Sequence, residues 1–130
     1  MDEGLIHSRL SHWAQTQGDQ IAIDNGLAPI TFAALWQMVQ AQAQTHQTLQ
    51  SPATVLLNPQ TCIRQQLIDF YGVIASGRCA AVCDAEWPPT VLDAVTHAFD
   101  SAPYVAPAPN GHTPFYVGFT SGSTGLPKGF

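Results

Sequence analysis

Positive charge is scarce in this chain of 130 residues: Arg9, Arg64, Arg78 and Lys128 stand against nine Asp and Glu, for a net charge of −5. Four cations cannot neutralise the row of phosphates that a nucleic-acid site engages, which argues against nucleic acid as a partner. Long apolar runs are missing too. None approaches the roughly 18 residues of a membrane span, and the acidic start Met1, Asp2, Glu3 lacks the basic residues and apolar core of a secretion signal. A soluble, cytoplasmic protein is the expectation. Cysteine is sparse, with Cys62, Cys79 and Cys83. The last two fall on one expected strand, where four steps of ~3.3 Å separate them by about 13 Å. A disulfide cannot span that distance, and it is a poor start for a metal site. Both are expected as small buried residues in a reducing compartment. His7, His12, His46, His97 and His112 are scattered without ligand spacing, so they are assigned no chemistry and no metal-binding residue is expected.

What the chain does have is apolar material. Hydrophobic residues make up 45% and charged residues 10%, the composition of a globular chain rather than a disordered one. At this length one domain buries roughly two-thirds of its unfolded surface.

In chain order, Leu5, Ile6, Leu10, Trp13 and Ala14 recur at helical spacing and Gly18 closes that helix. Ile21, Ala22 and Ile23 form a short strand with a turn at Asp24, Asn25 and Gly26, and Ile30 starts a second small pairing. Thr31 is placed to cap a helix with Leu35, Trp36, Val39 and Ala43 on one face and glutamines at 37, 40, 42, 44 and 47 on its solvated side. An apolar strand over 53–57 ends at Asn58 and Pro59. Thr61 then caps a helix with Ile63, Leu67, Phe70, Tyr71 and Ile74 facing inward and Gly77 as its stop. A buried strand over 79–83 closes at Asp84, and Pro88 and Pro89 open a helix carrying Val91, Leu92, Val95 and Phe99. Residues 104–106 are a further expected strand, 107–114 a surface loop, and 115–119 the last strand. Strands that are apolar throughout and alternate with helices predict an α/β fold: three layers, a mainly parallel sheet with helices on both faces. Ligands of such sheets bind beyond the carboxyl ends of the strands, where Asn58, Asp84 and the stretch after Phe119 fall.

That stretch, Thr-Ser-Gly-Ser-Thr-Gly-Leu-Pro-Lys-Gly over 120–129, is the most informative in the chain. Gly122 and Gly125 let backbone N–H groups turn toward a ligand, the hydroxyls of Thr120, Ser121, Ser123 and Thr124 add donors, and Lys128 adds charge. The target of such a nest is an anion. The P-loop of nucleotide hydrolases is a different device. It needs Gly-Lys-Ser/Thr running into a helix, whereas here Pro127 precedes Lys128, pushes Leu126 toward an extended backbone, and Gly129 follows. A flexible Gly/Ser linker is the competing reading from composition alone.

The order of the residues decides between them. T-S-G-S-T-G-x-P-K-G closely resembles the phosphate-loop signature of the adenylate-forming superfamily: acyl- and aryl-CoA ligases, peptide-synthetase adenylation domains and firefly-type luciferases. Two weaker echoes precede it in the right order. Ile30 to Leu35 resembles the superfamily's "T-Y-x-E-L" box with Ala34 in the place of the acid, and the stretch from Gly72 to Val82 resembles its "A-G-x-x-x-V-P" segment, with Cys83 in the place of the proline.

The resemblance implies the N-terminal part of an adenylate-forming domain over 1–130, ending just after the glycine-rich loop at 119–129. The complete enzyme would activate a carboxylic acid with ATP and Mg²⁺ to an acyl-adenylate. It would then pass the acyl group to coenzyme A or to a carrier-protein phosphopantetheine, an acyl-CoA ligase being favoured. Thr120, Ser121, Gly122, Ser123, Thr124, Gly125 and Lys128 would hold the β- and γ-phosphates, while no catalytic residue is assigned. The adenine-, ribose- and metal-binding segments and the C-terminal lysine of the family lie beyond Phe130. These 130 residues alone are therefore expected to be inactive, with the missing remainder a possible second chain and 122–130 mobile because it is tethered at one end. The alternative is a non-catalytic phosphate-binding or scaffold fragment that acts only with a partner chain.

Overall fold

The computed structural model describes residues 6–24, 29–58, 62–84, 86–99, 101–109, 113–121 and 127–129. Helix α1 (Ile6–Thr16) ends where the Gly18 carbonyl accepts the Ala33 N–H at 3.2 Å. A Cβ on Gly18 would stand 2.6 Å from the Ala14 carbonyl oxygen, so the close turn requires glycine. Strands β1 (Ile21–Ile23) and β2 (Ile30–Thr31) pair antiparallel. Helix α2 (Phe32–Leu49) is capped by Thr31, whose hydroxyl accepts the Ala34 N–H at 3.2 Å, and it buries Leu35, Val39 and Ala43 as the spacing predicts.

The second half is a β-α-β-α-β unit. Strands β3 (Thr54–Leu57), β4 (Cys79–Val82) and β5 (Tyr116–Val117) form one parallel sheet in that order, with helix α3 (Ile63–Ala75) between the first two and α4 (Pro89–Ala98) after β4. In β4, Cys79, Ala80 and Ala81 are all buried. Consecutive strand residues face opposite sides, so both faces of the sheet centre are covered. The α/β architecture with a mainly parallel central sheet is thus the one the sequence predicts. The main core lies between α1, the β1–β2 pair, α2 and α3, around Leu10, Ile23, Ile30, Leu35, Val39 and Ile68. Helix α3 packs against both α2 and the β3–β4 pair. Gly72 marks the helix–helix contact: a Cβ there would meet the Gln42 Cβ at 2.6 Å.

Four expectations need correction. Residues 104–106 form no strand; Tyr104 spends its N–H on Gln50 O (3.2 Å) and its carbonyl on the Arg78 guanidinium, and Val105 points outward, 75% exposed. The strand over 115–119 is two strands. Among the described residues, Tyr116 and Val117 are in register with β4 and Phe115 O accepts the Ala80 N–H at 2.9 Å, Gly118 belongs to neither sheet, and β6 (Phe119–Ser121) pairs antiparallel with β7 (Pro127–Gly129) in a separate one. On α3 the most buried side chains include Ile68 and Val73, which the single-face reading omits, while Phe70 is only half-buried. A helix packed between another helix and a sheet is apolar on more than one stripe. The N-cap of α3 is Cys62, without a side-chain hydrogen bond. Leu5, Asn25, Gly26, Pro59, Thr61 and His112 lie outside the described residues, as does the side chain of Ile63.

Candidate functional site

Of the seven residues expected to hold phosphate, Thr120 and Ser121 lie in β6 and Lys128 in β7. The register sets Thr120 opposite Lys128, Ser121 opposite Pro127 and Phe119 opposite Gly129. Gly122, Ser123, Thr124 and Gly125 lie outside the described residues. The glycine-rich loop is therefore closed at its base by a two-stranded ribbon, and the expected tether at one end is corrected: Pro127–Gly129 is paired. A strand follows the loop where a P-loop would have a helix. With its fixed φ and no N–H, Pro127 suits a strand start but not the helix interior.

The hairpin rises beside the carboxyl end of β4. The Trp87 ring, three residues beyond Asp84, meets the Phe119 ring edge to face with centroids 5.0 Å apart. Asp84 is exposed and its Oδ1 accepts the Glu86 N–H at 2.9 Å, an Asx turn that starts the connection to α4. Asn58, exposed after β3, ends the neighbouring strand. This is the end of a parallel sheet where ligands bind. Among the described residues, no group of three or more His, Cys, Asp or Glu could hold a metal ion, so no residue here is assigned to magnesium.

The opposite end of the sheet holds polar groups to which the sequence reading gave no role. Arg78, immediately before β4, is 2% exposed. Its Nε donates to Ser51 O at 2.8 Å, Nη1 to Ser76 O at 3.2 Å and Nη2 to Tyr104 O at 2.5 Å, and its guanidinium lies 5.8 Å from the centroid of the Tyr104 ring. Burial lowers its pKa, and Tyr104 acts in the opposite sense. One side chain thus joins the end of α2, the end of α3 and the 104 loop. The available signal was a lone arginine inside the apolar run from Ile74 to Val82, because an almost fully buried cation must be hydrogen-bonded. His46 Nδ1 lies 2.8 Å from Ser51 Oγ, whereas His46 Nε2 and His7 Nδ1 are buried without a hydrogen bond. Burial pushes both histidines below their ordinary value; Arg78 lowers His46 further and Asp69 opposes. Burial also raises the thiols of Cys79 and Cys83, which are free and buried as expected. His7, Ile74, Arg78, Pro109, Thr113, Pro114 and Phe115 line a cavity of about 30 Å³. That is room for roughly one water, so it is no nucleotide site. Among the described residues, no helix is long and apolar enough to cross a membrane.

No protein-family profile and no curated protein sequence matches this chain. Solved structures do. VinN aligns with 97% of the chain at 19% identity and a TM-score of 0.74. The Klebsiella oxytoca NpsA N-terminal subdomain in complex with 3-hydroxyanthranilyl-AMSN aligns with 96% at 17% identity and a TM-score of 0.77. The nonribosomal peptide synthetase FmoA3, in its alpha-methyl-L-serine-AMP bound form, aligns with 96% at 18% identity and a TM-score of 0.76. The chain shares their fold and spans 44%, 39% and 17% of their respective lengths, less than half of each.

Proposed function

We propose that this chain is the N-terminal portion of an ATP-dependent, AMP-forming enzyme that activates a carboxylic acid. The observation that carries the reading is the T-S-G-S-T-G-L-P-K-G sequence, set on a hairpin at the carboxyl end of a parallel sheet in a fold shared with NpsA and FmoA3. In such a reaction the substrate carboxylate attacks the α-phosphorus of ATP, the bond to the β-phosphate oxygen breaks, and pyrophosphate leaves an acyl-adenylate. A thiol then attacks the acyl carbon and AMP departs. The loop's task is to hold the β- and γ-phosphates while negative charge grows on the leaving pyrophosphate. Backbone N–H groups at Gly122 and Gly125 and the hydroxyls of Thr120, Ser121, Ser123 and Thr124 donate hydrogen bonds, and Lys128 supplies charge. Mg²⁺ would travel with the nucleotide and shield its phosphates.

Coenzyme A, the acceptor of an acyl-CoA ligase, is one reading of the thiol. A carrier-protein phosphopantetheine is the second reading, favoured by the likeness to a peptide synthetase. Pyrophosphate exchange tests the loop once the chain is extended to the full length of its structural neighbours. Lys128→Ala and Thr124→Ala should each slow exchange by roughly thirty- to a thousandfold, about 2–4 kcal/mol, without changing thermal stability. Wild-type rates in both variants would remove the loop from the mechanism. The 130 residues alone should bind Mg-ATP no tighter than about millimolar and catalyse no exchange; micromolar affinity would place the nucleotide site elsewhere.

A further inference from the structure

We propose that Trp87 and Phe99, the aromatic residues that bracket α4, are positioning residues for the glycine-rich loop and act through Phe119. Phe119 is the first residue of β6, one step before Thr120. Its ring is held edge to face by Trp87, with centroids 5.0 Å apart and planes at 87°, and by Phe99, at 6.2 Å and 88°. Edge-to-face contact is the arrangement that ring quadrupoles favour, and such pairs contribute beyond the area they bury. Trp87 directly precedes Pro88, the N-cap of α4, and Phe99 is the C-cap of the same helix. The two contacts therefore come from opposite ends of one ten-residue helix, which fixes their spacing.

The hairpin needs such a fixing point. Among the described residues, sheet pairing of the preceding strand stops at Val117, Gly118 belongs to neither sheet, and β6 and β7 pair only with each other. Backbone hydrogen bonds thus set the hairpin's internal register, but sheet pairing does not set its angle to the parallel sheet. The aromatic bracket on Phe119 supplies that angle and so places the Thr120–Lys128 pair relative to the carboxyl end of β4. The consequence for phosphate affinity rests on the proposed function; the consequence for hairpin order does not.

Hydrogen exchange on the intact chain is the test. In Trp87→Ala and in Phe99→Ala, the amides of whichever opposed pair of the hairpin exchanges ladder hydrogen bonds, Phe119 with Gly129 or Thr120 with Lys128, should exchange about tenfold faster, with amides near Val39 in α2 and Val73 in α3 unchanged. Trp87→Phe, which keeps a ring, should return the hairpin to within about twofold of wild type. Unchanged hairpin exchange in Trp87→Ala would overturn the proposal. If that variant also loosens the α2–α3 core, Phe119→Leu decides: it keeps apolar bulk but removes the ring, and a hairpin that exchanges at the wild-type rate refutes the bracket. A parallel titration with inorganic pyrophosphate, followed by NMR shifts, separates the two ideas. Weakening by about tenfold in Trp87→Ala and loss in Lys128→Ala support positioning of a phosphate site. No binding by the wild type refutes the phosphate reading, while the exchange data still decide the bracket.

Discussion

Arg78→Met is the sharpest perturbation this fold offers, because it keeps the apolar stem and deletes every donor. Three carbonyls lose a partner: Ser51 O, Ser76 O and Tyr104 O. A hydrogen bond to a charged group contributes about 1.5–3 kcal/mol, so the gross loss is about 5–9 kcal/mol. Two effects reduce it. The bonds to Ser51 and Tyr104 are only part-buried, so water can replace the lost donor there. The variant also avoids desolvating a guanidinium that no carboxylate bonds to among the described residues, a relief of several kcal/mol. Ser76 O, bonded in a buried setting, gains no such help. The net expectation is a loss of about 2–3 kcal/mol, a large share of a typical domain's 5–15. With a slope near 2 kcal/mol per molar urea, the unfolding midpoint should fall by about 1–1.5 M. Arg78→Lys should recover less than half of this, because a single ammonium cannot reproduce a planar fork that reaches three carbonyls. A Met variant within about 0.5 kcal/mol of wild type, or full rescue by Lys, would show that the guanidinium is tolerated rather than structural.

Stability should also depend on pH through His7 and His46. Both are held below the ordinary histidine value of 6.5 by burial, so the unfolded chain takes up protons near that pH while the folded chain resists until lower. The stabilisation is full well above pH 6.5 and lost as pH falls through the folded values; the urea midpoint should drop as the pH is lowered below 6.5, and less so in His7→Gln and His46→Gln. A flat profile would mean that neither ring is buried in solution. Gly77→Ala should lower stability by about 1–3 kcal/mol in a melting experiment, because the site has φ +83° and a Cβ would lie 2.9 Å from Pro107 O. Gly72→Ala, with its Cβ 2.6 Å from that of Gln42, should cost a similar amount, about 1–3 kcal/mol, by forcing α2 and α3 apart. Iodoacetamide at pH 8 should modify half-buried Cys62 well before Cys79 and Cys83, whose thiols are buried and raised in pKa; three equal rates would mean that β4 opens readily.

Local chemistry made much of this molecule legible in advance. Thr31 caps α2 because a hydroxyl before an apolar helix accepts an orphan N–H, Gly77 ends the α3 segment because only glycine takes φ +83° without strain, and uniformly apolar runs become the parallel pair β3 and β4. The glycine-rich stretch reads as an anion nest by composition and resembles a phosphate loop by residue order, a proposal that needs only the sequence because every position of that motif is local. What the sequence alone could not decide depends on partners distant along the chain. Residues 104–106 have strand-forming side chains, yet Tyr104 gives its backbone to Gln50 and Arg78, so tertiary hydrogen bonds override propensity. The run over 115–119 is apolar throughout, yet its pairing with β4 stops at Val117, opposite Ala81, and Phe119 leaves the sheet to pair with Gly129. The burial of Arg78 and His7 follows from helices and loops that converge from residues 7 to 115, which no periodicity of 2 or 3.6 encodes.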